Sequence, residues 1–342
     1  MLFRSADDDG RTRWEDLWLG YTESEGLPEL RAAIAAQFTS CEADNILVFS
    51  APEEAIFHVS AALLEPGDHM VGITPAYQSS HEIPRTIGAD VTLVPVREDR
   101  DWTLDLDELA AALTGRTKLI YVNFPHNPTG AIMSAADQRR LIDLADSCGA
   151  YLFSDEVYRG LEFDPATRLP AAADLYPRAI SLGGLSKAYA LPGVRLGWIA
   201  CQDADLCRRL VAAKDFTTIC AAAPSEVLAL IAVRAADHLI ARSLAWITHN
   251  LALVDEFFAR RPDVVRWVRP RGSSVGFPEL LIDEPADEFC SRLVTETGVL
   301  LVPGSKFESG TNHFRIGLGR ASLPAGLGAL GDFIDAPGAR AR

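Results

Sequence analysis

The sequence predicts an α/β protein: a mostly parallel central sheet flanked by helices, followed by a smaller α+β region. Three observations carry this. From about residue 24 to 235, short apolar runs alternate with helical patterns. The runs are spaced widely enough for crossover helices, which parallel neighbours require. After about residue 236 the alternation gives way to one long helical stretch and a few short strands.

The runs, in order, are NILVFS (45–50), HMVGIT (69–74), VTLVPV (91–96), KLIYVNF (118–124), AYLFSDE (150–156), AISL (179–182) and RLGWIAC (195–201). Most are apolar nearly throughout, as strands covered on both faces are. The segment SAADQRRLIDLADSCG reads as a helix with Ser134 as N-cap and Asp137 three residues on. Leu141, Leu144, Ala145 and Cys148 form its apolar face, and Gly149 stops it. Beyond it, DHLIARSLAWITHNLALVDEFFARR predicts a long helix. VVRWVRPRG, SVGFPELLI and HFRIGLG predict short strands, and a further helix lies near PADEFCSRLVTETG. A chain of 342 residues exceeds what one core usually serves. The expected division is an N-terminal arm (1–23), a large α/β domain (24–235) and a small α+β domain (236–342). No Gly/Ser linker separates the last two, so they are expected to pack firmly.

Bulk properties narrow the function. The net charge of −15 and pI near 4.9 argue against nucleic acid or an anionic membrane as partner, since phosphate binding needs a basic face. The six cysteines contain no CxxC pair and read as reduced thiols, with no metal site. The start, MLFRSADDDGRTRW, lacks the apolar core of a signal peptide, and no apolar run reaches membrane-spanning length. A cytoplasmic enzyme acting on small molecules is the expectation.

In open α/β sheets ligands bind beyond the carboxyl ends of the strands. KLIYVNF runs into PHNPTG, which places Asn127 there. AYLF runs into SDEVYRG, which places Asp155 and Tyr158 there. AISL leads into GGLSK, bringing Lys187, with Arg195 eight residues on. An amine, a carboxylate, a phenol and an amide are thus expected in one crevice.

PHNPTG, SDEVY, the SK with GVRLGW after it, GYTESEGLPELRAAIA and the closing PGSKF with HFRIGLG resemble the motifs of the pyridoxal-phosphate-dependent class I/II aminotransferases, of fold type I. The resemblance runs from about Tyr21 to Leu318. It implies that Lys187 holds the cofactor as a Schiff base and then moves the substrate's α-proton, a role suited to a lysine of lowered pKa. It implies that Asp155 pairs with the pyridine nitrogen. Tyr158 and Asn127 would bond the ring hydroxyl, and Tyr77 would stack on the ring. Arg195 and Ser186 would bind the phosphate, with backbone N–H groups near Ala51 and Glu53, and Ser50 nearby. Arg315 would grip the substrate α-carboxylate. Tyr21 would reach the phosphate of a neighbouring subunit, which implies a homodimer with shared sites.

Three departures from the family pattern stand out. The phosphate-binding turn reads FSAPEEAIF, in which Pro52 has no N–H, Glu53 and Glu54 are acidic, and Ser50 with Glu53 fits a capping box. Gly184 stands where many relatives carry a phosphate-binding serine. Only twenty residues precede Tyr21, where relatives have a longer arm, so either the site closes differently or the true start lies upstream.

Transamination between an α-amino acid and a 2-oxo acid is the first expectation. PEEAIF and KDFTTICAAAPSEVLALIA are also similar to enzymes that cyclise hydroxylated arginines into capreomycidine- or enduracididine-type residues, with Glu53, Glu54 or Asp215 to receive a guanidinium. The third alternative is an inactive or ligand-sensing relative. Against it, Lys187 and Asp155 are both present, and the residues before Tyr21 leave no room for a basic DNA-binding domain.

Overall fold

The computed structural model describes residues 7–336; the first six residues of MLFRSADDDGRTRW lie outside the described part. All seven expected strands form: β1 (Ile46–Phe49), β2 (His69–Thr74), β3 (Asp90–Pro95), β4 (Thr117–Asn123), β5 (Tyr151–Asp155), β6 (Ala179–Gly184) and β7 (Gly197–Cys201). They make one sheet in the order β1-β7-β6-β5-β4-β2-β3. β7 runs antiparallel to both its neighbours and the other pairings are parallel.

Why both faces are apolar follows from the period of two along each strand. Leu119 and Tyr121 of β4, Phe153 of β5 and Ile180 and Leu182 of β6 join one core. Ile120 and Val122 of β4, Leu152 of β5 and Ala179 of β6 join a second core. Neither core is complete without the sheet between them.

The helix signals of 134–149 are realised. Ser134 Oγ accepts the Asp137 N–H at 3.1 Å, the helix spans Ala135–Cys148, and Gly149 closes it at φ 68°. The expected capping box at Ser50 is not realised. Helix Pro52–Leu63 has Ala51 as its N-cap, and the Ser50 N–H instead donates to Glu54 Oε2 at 2.6 Å. The reason is Pro52, whose fixed φ suits the first helical position and moves the start past the serine.

Beyond residue 235, the helix Ala236–Ala259 leads to short strands at Val265–Arg266, Val275–Gly276, Glu279–Leu280, Val302–Pro303 and Phe314–Gly317, with helices Ala286–Thr297 and Leu323–Asp335. The strand Phe314–Gly317 lies between the other two of a three-stranded sheet and carries Arg315. All six cysteines are unpaired, and Cys41, Cys201, Cys207 and Cys290 are buried. Among the described residues no helix is long and apolar enough to cross a membrane.

Candidate active site

The register of the sheet builds the crevice. Asn123, the last residue of β4, sits opposite Asp155, the last of β5, and Asp155 sits opposite Leu182 of β6. The strand-end residues therefore meet in one row, and the loops that follow them carry Asn127, Tyr158 and Lys187.

Asp155 is held from three sides. Tyr121 Oη donates to its Oδ2 at 3.0 Å, the Val157 N–H to its Oδ1 at 3.2 Å, and Asn123 Nδ2 to its main-chain carbonyl at 2.9 Å. Asn123 also accepts the Asn127 N–H at 2.8 Å, which ties the NPTG turn to the same row. Burial nonetheless pushes the Asp155 carboxyl up to about 6, and only partly do the Val157 and Tyr121 hydrogen bonds oppose it. An opposite charge placed beside it would restore the carboxylate. Tyr121 and Asn123 were not among the expected site residues. The available signal was Asn123 itself, an amide in an otherwise apolar run.

Lys187 extends into the open crevice with Nζ 5.8 Å from the centroid of the buried Tyr158 ring. Its pKa is lowered, first by desolvation between the crevice walls and then by the positive charge of Arg315. Solvent still reaches the side chain. Arg315 lies across the Phe307 ring at 5.0 Å and donates Nη1 to Asn127 Oδ1 at 3.0 Å. No other hydrogen bond or ion pair engages its guanidinium among the described residues, so half of a planar fork faces the crevice. Tyr77, the ring expected to stack on the cofactor, stands half exposed at the crevice.

The end expected to take the phosphate is different. Around the start of helix Pro52–Leu63, the Ser50 N–H is taken by Glu54 and Pro52 has none. The N–H groups of Ala51 and Glu53 carry no partner among the described residues. Those are the two donors expected for an anion, at the positive end of a helix. Arg195 is exposed, in a left-handed conformation at φ 54°, and donates Nη1 to Pro192 O at 2.9 Å. Ser186 is half-buried and Tyr21 is 79% exposed. Ser186 directly precedes Lys187 in the chain, and among the described residues no hydrogen bond joins Tyr21 to Lys187.

The acids Glu54 and Asp215 have structural work. Glu54 accepts Thr218 Oγ1 at 2.5 Å besides the Ser50 N–H, and Asp215 accepts Ser24 Oγ at 2.7 Å. Glu53 has no hydrogen-bond or ion-pair partner among the described residues, and it weighs electrostatically on both Asp155 and Lys187. Next to Asp215, Lys214 is 1% exposed and donates Nζ to Ser24 O at 2.5 Å and Val48 O at 2.7 Å. KDFTTIC is thus a clamp that pins the Tyr21–Gly26 segment against the end of β1, directly before the helix that starts at Pro52. Sequence reading missed Lys214.

Comparison with known proteins bears on this geometry. The family described as aminotransferase class I and II matches residues 14–325. The chain belongs to that family. Capreomycidine synthase of Streptomyces vinaceus is 36% identical over 311 residues, covering 90% of this chain and 79% of that protein. A PLP-dependent aminotransferase from Streptococcus suis 89-1591 superposes with a TM-score of 0.91 at 32% identity, over 97% of this chain and 89% of the other. The PLP-dependent cyclase OrfR superposes with a TM-score of 0.88 at 32% identity, with the same coverage.

This class I/II aminotransferase has fold type I, depends on pyridoxal 5′-phosphate and takes small-molecule substrates, an amino acid and a 2-oxo acid. Its donor set fits that cofactor: a lysine of lowered pKa, a half-buried carboxylate at the end of β5, a half-fork on Arg315 and, among the described residues, two unpartnered amides at a helix start.

Proposed function

We propose that the chain transfers the amino group of an α-amino acid to a 2-oxo acid, with Lys187 as both the covalent anchor of pyridoxal phosphate and the base that moves the substrate α-proton. The observation that supports this most is the placement of Lys187 over Tyr158, with Asp155 and Arg315 within electrostatic reach of its amine. When bound, the cofactor supplies an electron sink for the negative charge that proton loss leaves behind.

The protein residues divide the remaining tasks. Lys187 is biased toward the neutral amine by its walls and by Arg315, which suits a base. Asp155, oriented by Tyr121 and Val157, would keep a proton on the ring nitrogen by its negative charge. Tyr158 and Asn127 would hold the ring hydroxyl, and Tyr77 would cover the ring face. Arg315, with Nη1 already fixed on Asn127, takes the α-carboxylate with the rest of its fork and so orients the α-proton toward Lys187. Ala51, Glu53, Ser186 and Arg195 bind the phosphate, and Tyr21 completes the site of a second subunit in a cytoplasmic homodimer. The arm, large domain and small domain follow the boundaries 1–23, 24–235 and 236–342.

A second reading has a specific support: the likeness to capreomycidine synthase and to the cyclase OrfR. In it the substrate is a hydroxylated arginine, which loses its hydroxyl as water before the guanidine closes a ring. Of the three acids considered for the guanidinium, Glu54 and Asp215 are engaged elsewhere, which leaves Glu53.

The test begins with borohydride reduction of the cofactor-loaded protein and peptide mass spectrometry. The cofactor mass is expected on the Lys187 peptide and on none in Lys187→Ala; attachment elsewhere sinks the assignment. Candidate amino acids and hydroxylated arginines are then supplied with a 2-oxo acid. Amine appearing on the 2-oxo acid establishes transamination, and dehydration with retention of the amine establishes the cyclase reading instead.

A further inference from the structure

Pro52 and Gly184 depart from the family pattern separately in the sequence, but the fold puts them in contact. Phe49 of β1 pairs with Gly197 of β7, and Gly197 pairs with Gly184 of β6, so the two glycines form one row at the edge of the crevice. The buried Pro52 ring lies on that row. A methyl group added at Gly184 would come within 2.8 Å of Pro52 Cγ, and one at Gly197 within 2.8 Å of Pro52 N and 2.9 Å of its Cδ and Cγ. Such contacts force a shift, because neither a proline ring nor a strand gives way cheaply.

We propose that Pro52 is a positioning residue: its ring, seated on Gly184 and Gly197, sets the height of the helix start over the sheet and thereby excludes any side chain at 184. The seat has a chemical consequence. Proline withholds the N–H of the first helical residue, and glycine at 184 withholds any hydroxyl that would point at the same helix start. Packing replaces two anion contacts, and the Ala51 and Glu53 amides are what the first turn has left. The inference rests on the reading that phosphate binds at this helix.

The test is a four-member cycle of the full chain: parent, Pro52→Ala, Gly184→Ser and the double variant, each without cofactor. Thermal unfolding and the affinity for inorganic phosphate are measured on all four. Gly184→Ser alone is expected to lower Tm by several degrees. The double variant is expected to recover most of that loss and to bind inorganic phosphate at least about tenfold more tightly than the parent, since each added contact is a hydrogen bond to a charged group. Gly184→Ser with an unchanged Tm, or a double variant that merely adds the two single losses, overturns the seat. A double variant that recovers Tm but binds phosphate no better overturns the claim that the seat displaces anion contacts. Failure of all four proteins to bind phosphate, with the Tm recovery present, points to the underlying placement of phosphate and not to the packing.

Discussion

The proposed function gives the crevice a ring end and a phosphate end, and the two are built on different principles. At the ring end, Asp155, Tyr121, Asn123, Asn127 and Arg315 are linked by hydrogen bonds of 2.8 to 3.0 Å that run from the sheet into the small α+β region. At the phosphate end, proline, glycine and a glutamate side chain remove donors, and Arg195 is turned to a neighbouring carbonyl. One end is oriented by a buried network, which is costly to disturb. The other depends on packing beneath it. If the proposed placement holds, mutations at the two ends should differ in kind: kinetic at the first, affinity and stability at the second.

The largest effect is expected at the ring end. Arg315→Ala removes a fork already preorganised by Asn127, and should cost about 10²- to 10³-fold in kcat/KM, since a bidentate pair contains two charge-assisted bonds. Arg315→Lys should recover only part of this, because a point charge does not match a planar carboxylate. Steady-state kinetics with one amino donor checks both. If Arg315→Ala changes Tm but not kcat/KM, the distinction between the ends fails.

The phosphate end should answer to its support. Lys214→Met leaves the carbonyls of Ser24 and Val48 without their buried donor. Each such loss costs about 1–3 kcal/mol, so Tm should fall by several degrees. Cofactor affinity should fall with it, because Val48 leads directly into Ser50–Glu53. Paired denaturation and cofactor titration check this. A stable variant, or one that is unstable with cofactor affinity intact, shows that the clamp does not serve the site.

The sequence was more legible at the ring end for a physical reason. Strand ends are marked by polar residues closing apolar runs, and Asn127, Asp155 and Lys187 each stand just after one. Tyr121 was hidden because a tyrosine inside KLIYVNF reads as core, and its hydroxyl matters only once β4 and β5 are in register. At the phosphate end the relevant facts are long-range. Nothing local in FSAPEEAIF tells that Glu54 reaches back to Ser50, or that the Pro52 ring needs glycine on two distant strands. Lys214 likewise looks like the solvated last residue of a helix until the Tyr21–Gly26 segment folds over it.

The smallest expected effect also separates the ends most cleanly, because it concerns the pH dependence of stability without cofactor. The Asp155 carboxyl is raised from its ordinary range to about 6 by burial. In that interval the folded chain holds a proton that the unfolded chain has lost, so folding stability falls as pH rises from about 4 to about 6. Asp155→Asn removes this titration. Without cofactor, the Tm of the variant should therefore gain on the parent across that window and hold its advantage above it. Adding pyridoxal phosphate should reverse the order above pH 6, since a positive charge at the ring nitrogen stabilises the parent's carboxylate and has nothing to pair with in the amide. Thermal melts of both proteins at pH 4 to 8, with and without cofactor, read this directly. Parallel curves for the two proteins would mean that Asp155 titrates as an ordinary carboxylate. The ring end would then be prepared by hydrogen bonding alone and not by a buried charge waiting for its partner.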